Sequence, residues 1–172
     1  LLKGMQSLEI ADQQELRLGH GLPKDREVLL TLIRRPTWRR PFEIFQALRE
    51  GAAVEEIHEA TGIDPWFLDR MAEIVVVEQA MSRDLAEAAR RENLPVCRRL
   101  ILAAKQTGLS DWEIASLTGG FEADVRAFRQ RLGILPTIKA VDTCAAEFPA
   151  YTPYYYSTYE FEDEGEPLGK EA

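Results

Sequence analysis

From residue 25 to residue 133 the apolar positions recur at three- and four-residue intervals, the spacing that lines up one face of a helix. Asp25 can cap the first such run, and Val28, Leu29, Leu32 and Ile33 fall on its inner face. Arg34-Arg35-Pro36 ends it, because the residue before a proline is pushed out of the helical region. A second helix is predicted over 37–51, with Phe42, Phe45 and Leu48 inward, Ile44 beside them and Gly51 as C-terminal cap. Residues 54–60 read as a short helix stopped at Thr61-Gly62. Asp64-Pro65 then restarts the chain with an N-cap carboxylate and a proline in the first turn. Trp66, Phe67, Met71, Ile74 and Val75 are expected to face the core from that helix, which continues through Val76-Val77 and starts afresh at Ser82. Pro95 opens another, with Leu100, Ile101 and Ala104 inward, closed by Gly108. Ser110 and Glu113 form a capping box for a helix reaching Leu117. After a turn at Thr118-Gly119-Gly120, Val125, Phe128 and Leu132 mark a last helix over 121–132, closed by Gly133. Ahead of all these, 1–17 is a weaker helical stretch with Leu1, Met5 and Leu8 on one face, and Gly19-His20-Gly21-Leu22-Pro23 is a loop.

Two parts of this pattern superimpose at an offset of 57 positions. Gly51, Glu56, Ile57, Thr61 and Gly62 match Gly108, Glu113, Ile114, Thr118 and Gly119. Each unit reads helix, glycine, short helix, Thr-Gly turn, helix. The expected fold is all-α: two related helical units packed together, followed by an extended Tyr/Pro-rich connector. Ala53 stands where the second unit has Ser110, so packing more than a cap is expected to hold the first short helix.

Composition narrows the function classes. A chain of 172 residues with 45% hydrophobic content can build a core without a disulfide or metal staple. Cys97 and Cys144 are read as ordinary thiols. The net charge of −8 is concentrated near the end, where Glu160, Glu162, Asp163, Glu164, Glu166 and Glu171 face only Lys170. That segment is expected to be a solvated linker. An acidic chain is a poor ligand for phosphate backbones, and no apolar run approaches a membrane span. Leu1 is not Met and no signal-peptide pattern is present, so the sequence reads as a piece of something longer. There is no P-loop and no Gly-x-Gly-x-x-Gly. His58, with His20 as the only other imidazole, reads as a surface histidine rather than a metal ligand, and His20 as a solvated loop residue. Ser110 and Ser157 lack a partner base at a recognisable spacing. No catalytic, cofactor-binding or metal residue is therefore assigned. Two alternatives use the same helices. One is a tandem helix-turn-helix DNA-binding protein, opposed by Asp64, Asp69, Glu122 and Asp124 on its candidate recognition helices. The other is a free-standing helical adaptor.

Residues 141–160 carry all five tyrosines, and Pro149 and Pro153 break any helix there. An extended strap is expected, its rings against a surface and its hydroxyls on polar partners or water. Within it, Asp142-Thr143-Cys144-Ala145-Ala146-Glu147-Phe148 and Thr152-Pro153-Tyr154-Tyr155-Tyr156-Ser157-Thr158-Tyr159-Glu160 resemble the joint between the two halves of the carbamoyl-phosphate synthase large subunit. Gly62-Ile63-Asp64-Pro65-Trp66-Phe67-Leu68 resembles the same family, as do Lys3, Ser7, Leu8, Glu9, Pro36, Thr37 and Phe42. Trp38 and Pro41 depart from it, where a proline and an aliphatic residue are expected. The resemblance implies a division into the end of an ATP-grasp unit over 1–22, a helical oligomerisation domain over 23–136, and a strap and acidic linker over 137–172. It implies a cytoplasmic parent ligase that makes carbamoyl phosphate for pyrimidine or arginine biosynthesis from bicarbonate, glutamine-derived ammonia and two ATP with Mg2+ or Mn2+. It implies as partners the flanking synthetase halves, a small glutaminase subunit and further copies, with no nucleic acid and no membrane. The active sites would lie in the flanking halves and the segment itself would be inactive.

Overall fold

The computed structural model describes residues 2–6, 13–141 and 154–165. The expectations placed on Leu1, Leu8, Cys144 and the remaining positions of the strap fall outside them. Two short helices, α1 (Leu2–Gln6) and α2 (Gln13–Arg17), come first. The first helical unit contains α3 (Arg26–Leu32), α4 (Arg40–Arg49) and α5 (Val54–Thr61). Helix α6 (Pro65–Ala80) runs on through a π-helical turn (Met81–Leu85) into α7 (Ala86–Arg90), so the chain does not restart at Ser82. The second unit contains α8 (Leu94–Thr107), α9 (Asp111–Thr118) and α10 (Glu122–Arg131). Strands β1 (Thr137–Val141) and β2 (Tyr154–Thr158) follow.

The repeat is visible in backbone angles as well as in residues. Gly51 and Gly108 have φ of +84° and +104°, and Gly62 and Gly119 have +69° and +71°. At each of these helix ends the chain turns through the left-handed region, which glycine enters without a Cβ clash. Thr61 and Thr118 each donate a hydroxyl bond back to the carbonyl four residues earlier, at 2.7 and 2.8 Å. Ile57 and Ile114 are both fully buried. One core runs through both units: Leu29, Ile33, Phe42, Phe45, Ile57, Leu68, Ile101 and Ile114 belong to it, and Leu2, Met5 and Leu16 of the leading helices join it. Each such large side chain contributes about 1.5–3 kcal/mol when buried.

Several expected positions move. Helix α4 begins at Arg40 rather than 37, because Pro41 has no amide hydrogen to bond the carbonyl of Thr37 and is tolerated only in a first turn. Val28 and Leu32 stay exposed beside buried Leu29 and Ile33. Trp66 and Phe67 are 61% and 55% exposed, edge to face on the surface with ring centres 5.0 Å apart. The inner stripe of α6 is instead Leu68, Met71, Ile74, Val75 and Glu78, a helical spacing that leaves Trp66 and Phe67 on other faces. Strands β1 and β2 pair antiparallel, from Thr137 opposite Thr158 to Val141 opposite Tyr154. Tyr154-Tyr155-Tyr156-Ser157-Thr158 has no alternation of apolar and polar residues, so the sequence carries no strand signal there.

Candidate functional site

Two charged joints hold the leading helices and the strap to one corner of the second unit. The first is built on Arg17, whose side chain is buried at the end of α2. Its Nη1 donates to Glu78 of α6 and its Nε donates to Glu113 of α9. Arg49 of α4 donates from Nε to the other Glu78 oxygen at 2.9 Å and from Nη2 to the Arg17 carbonyl. Both guanidinium groups lie over the Phe45 ring, 5.9 and 5.8 Å from its centre. Two cations and two carboxylates balance, which is the condition for burying charge without an uncompensated residue. Glu113 also accepts the Ser110 amide at 2.6 Å, while Ser110 Oγ accepts from the Glu113 amide at 3.1 Å. The predicted capping box is therefore also half of the joint.

Gly19 (φ +88°) lets the chain leave α2 beside this joint, since a Cβ there would lie 2.0 Å from Gln46 Oε1. In the first unit the matching carboxylate, Glu56, accepts the Ala53 amide at 2.8 Å and pairs with Arg26. Ala53 has no side-chain oxygen, so only the return half of that capping box exists.

The second joint centres on Asp111, at the start of α9. Its carboxylate accepts from Lys105 Nζ at 3.0 Å and from Arg129 Nε at 3.0 Å, with Arg126 Nε at 3.5 Å. Burial pushes the Asp111 carboxyl up, but Lys105 and Arg129 outweigh it and hold the group below its usual range. Burial also pushes the Lys105 amine down, against the pull of Asp111. Cations outnumber the carboxylate, and the Tyr159 ring lies over them, 5.2 Å from Lys105 Nζ and 5.8 Å from the Arg129 guanidinium. Gln106 Nε2 donates to the Tyr159 carbonyl at 3.0 Å. Leu2, Gly108, Leu109 and Tyr159 line one recess of 380 Å³, so the leading helix and the strap meet there.

Beyond Tyr159 the acidic segment is not a free linker. Glu164 and Glu162 pair with buried Lys139 of β1 at 2.9 and 3.2 Å. Glu164 accepts the Ala140 amide and Asp163 accepts the Ile138 amide, at 2.9 and 3.1 Å. The acids thus complete the open edge of β1, which composition alone cannot reveal. Of the five tyrosines, Tyr154, Tyr155 and Tyr156 stay exposed on β2 and Tyr159 docks. Buried Cys97 has its thiol pushed up by burial. His58 is exposed, with Nδ1 2.7 Å from the Ile63 carbonyl, and among the described residues no cluster could hold a metal. Sequence reading passed over Arg17, Arg49, Glu78, Lys105, Asp111 and Arg129. Glu78 alone carried a signal, as a carboxylate on an apolar helical stripe.

Residues 1–133 match the family model described as the oligomerisation domain of the carbamoyl-phosphate synthetase large chain. The chain is 42% identical over 173 residues to a carbamoyl phosphate synthase large chain from Nostoc sp., covering 98% of this chain and 15% of that one. It is 45% identical over 166 residues to the Renibacterium salmoninarum large chain, covering 95% and 14%. It is 43% identical over 164 residues to an Aquifex aeolicus protein named as the N-terminal section of the large chain, covering 93% and 27%. The chain thus spans only a small part of the length of these relatives.

Proposed function

The chain belongs to the oligomerisation-domain family of the carbamoyl-phosphate synthetase large chain, and from that premise we propose that it is the spacer that fixes two synthetase halves relative to each other and offers a surface for self-association. The observation that carries this reading is the convergence of Leu2, Arg17 and Tyr159 on the corner between α8 and α9. An incoming and an outgoing segment pinned to one rigid corner cannot swing independently. On this reading, 1–22 ends an ATP-grasp unit, 23–136 is the oligomerisation domain and 137–172 leads to the second half. The match to a relative named as an N-terminal section supports attachment to the half that precedes it.

The parent reaction joins bicarbonate and glutamine-derived ammonia, supplied through a small glutaminase subunit, at the cost of two ATP with Mg2+ or Mn2+ in the cytoplasm. No residue of this segment is assigned to catalysis, to cofactor binding or to a metal, and the segment alone is inactive. Its contribution is positional, because a reactive intermediate survives transfer only along a route closed to water.

The test is made in the complete large chain. Tyr159→Leu removes the ring from the cations of the Asp111 joint and leaves the helical core intact. The expected outcome is a broader X-ray scattering distance distribution and more than two ATP consumed per carbamoyl phosphate formed. Unchanged scattering together with an unchanged ratio would reject the joint as the element that holds the halves.

A further inference from the structure

We propose that the basic loop between α3 and α4 binds the acidic segment at 160–164 of a second copy of this chain. The inference rests on the self-association reading and names the surface that performs it. Residues 34–40 hold four arginines, Arg34, Arg35, Arg39 and Arg40, and no acid, in a chain of net charge −8. Arg34, Arg35 and Arg39 are exposed and form no ion pair among the described residues, although Arg39 pulls on the buried Glu43 carboxyl one turn away. Trp38 stands among them, 56% exposed, with the Arg39 guanidinium 5.3 Å from its ring centre. Beside the loop is a cleft of 380 Å³ lined by Met5, Pro36, Pro41, Ile44, Ile63 and Met71. Arg40 also lines that cleft; its Nη2 donates to the Thr61 carbonyl at 2.7 Å, while its Nε is buried without an acceptor among the described residues. An exposed basic rim above an apolar floor calls for an acidic partner with one apolar anchor.

The chain itself carries such a segment. Glu160, Phe161, Glu162, Asp163 and Glu164 follow the docked Tyr159, and Phe161 is 92% exposed. Lys139 and the amides of β1 hold Glu164 and Asp163 in place, so the segment presents Phe161 and Glu160 from a fixed support. Phe161 entering the cleft of a second copy would bring Glu160 and Glu162 against its arginine rim. Each copy owns both surfaces, so two copies related by a two-fold axis make the contact twice and the assembly closes as a dimer. The loop belongs to the first unit and the acidic segment to the strap on the second unit.

Sedimentation velocity of the 172-residue chain over a concentration series tests this directly. Wild type should dimerise reversibly and more weakly at high salt. Arg39→Glu and Glu160→Arg should each weaken the dimer by on the order of tenfold or more, while a 1:1 mixture of the two variants should recover wild-type association, since both contacts in the mixed dimer are then complementary. Trp38→Ala and Phe161→Ala should weaken it without changing the thermal melt followed by circular dichroism. Wild-type association by either charge variant alone, or failure of the mixture to recover, would overturn this surface while leaving self-association through another face standing. A chain that stays monomeric throughout would overturn the proposal, and sedimentation of the complete large chain would then judge the self-association reading separately.

Discussion

At the scale of single residues, Arg17 carries the most consequence. Its guanidinium serves two carboxylates on different helices, and neither has water to fall back on. Arg17→Met keeps most of the apolar stem and removes the charge. Glu78 would retain Arg49 and Glu113 would retain the Ser110 amide, but the balance of two cations against two anions would be lost. The expected cost is about 3–5 kcal/mol, read as a lower urea midpoint with the slope unchanged. Adding Glu113→Gln should return part of it, as the two residues are directly coupled. An Arg17→Met variant as stable as wild type would mean that the pair is not balanced by this cation. None of this was legible locally: Arg17 lies 61 positions from Glu78 and 96 from Glu113 in the chain. Periodicity describes a residue's own helix and says nothing about a partner so distant; the one local sign is Glu78 itself, a carboxylate on an apolar stripe, which went unread.

At the scale of elements, the two short helices α5 and α9 form a natural comparison. They share the glycine turns, the buried isoleucine and the returning carboxylate, and differ in whether the N-cap has a side-chain oxygen. Ser110→Ala should cost about 1 kcal/mol, and Ala53→Ser, which installs the missing acceptor at an extended N-cap, should gain about 0.5–1 kcal/mol. Opposite shifts in melting temperature would bear this out; a loss from Ala53→Ser would show that the hydroxyl cannot reach the Glu56 amide. Caps and glycine turns could be read before any coordinates because each depends on residues within one turn of one another, and the repeat because it is a match of residue types along the sequence. The depth of a helix face could not. Trp66 and Phe67 were assigned inward on hydrophobicity alone, but the phase of α6 is set by its contacts with other helices, which turn Leu68 inward and leave both rings outside.

At the scale of the whole molecule, the strap behaves as a clasp closed by carboxylates. Backbone hydrogen bonds from Gly165 and Ile138 hold Asp163 below its usual range, and the Lys139 hydrogen bond followed by the Ala140 amide does the same for Glu164. Groups depressed by folding stabilise the attached form above their ordinary value of roughly 4, and that contribution is lost as the pH falls through the depressed values. In an NMR titration the Ile138 and Ala140 amides should therefore move together with the two carboxyl carbons, below about pH 4. Amides that ignore the carboxyl titration would mean that the acids do not close the strand edge in solution. Composition had suggested a solvated tail because a list of charges does not show which backbone amides they reach. The strand edge itself came from pairing across 21 positions between Thr137 and Thr158. The shared recess of Leu2 and Tyr159 has a further implication for how such a chain could have grown. In the proposed spacer, two attachments that lie side by side allow doubling within a longer polypeptide without pushing apart what stands on either side. Duplication of a helical unit, preserved here as matching glycines 57 positions apart, would then have been mechanically silent to its neighbours, leaving the older spacing between them intact while adding new surface.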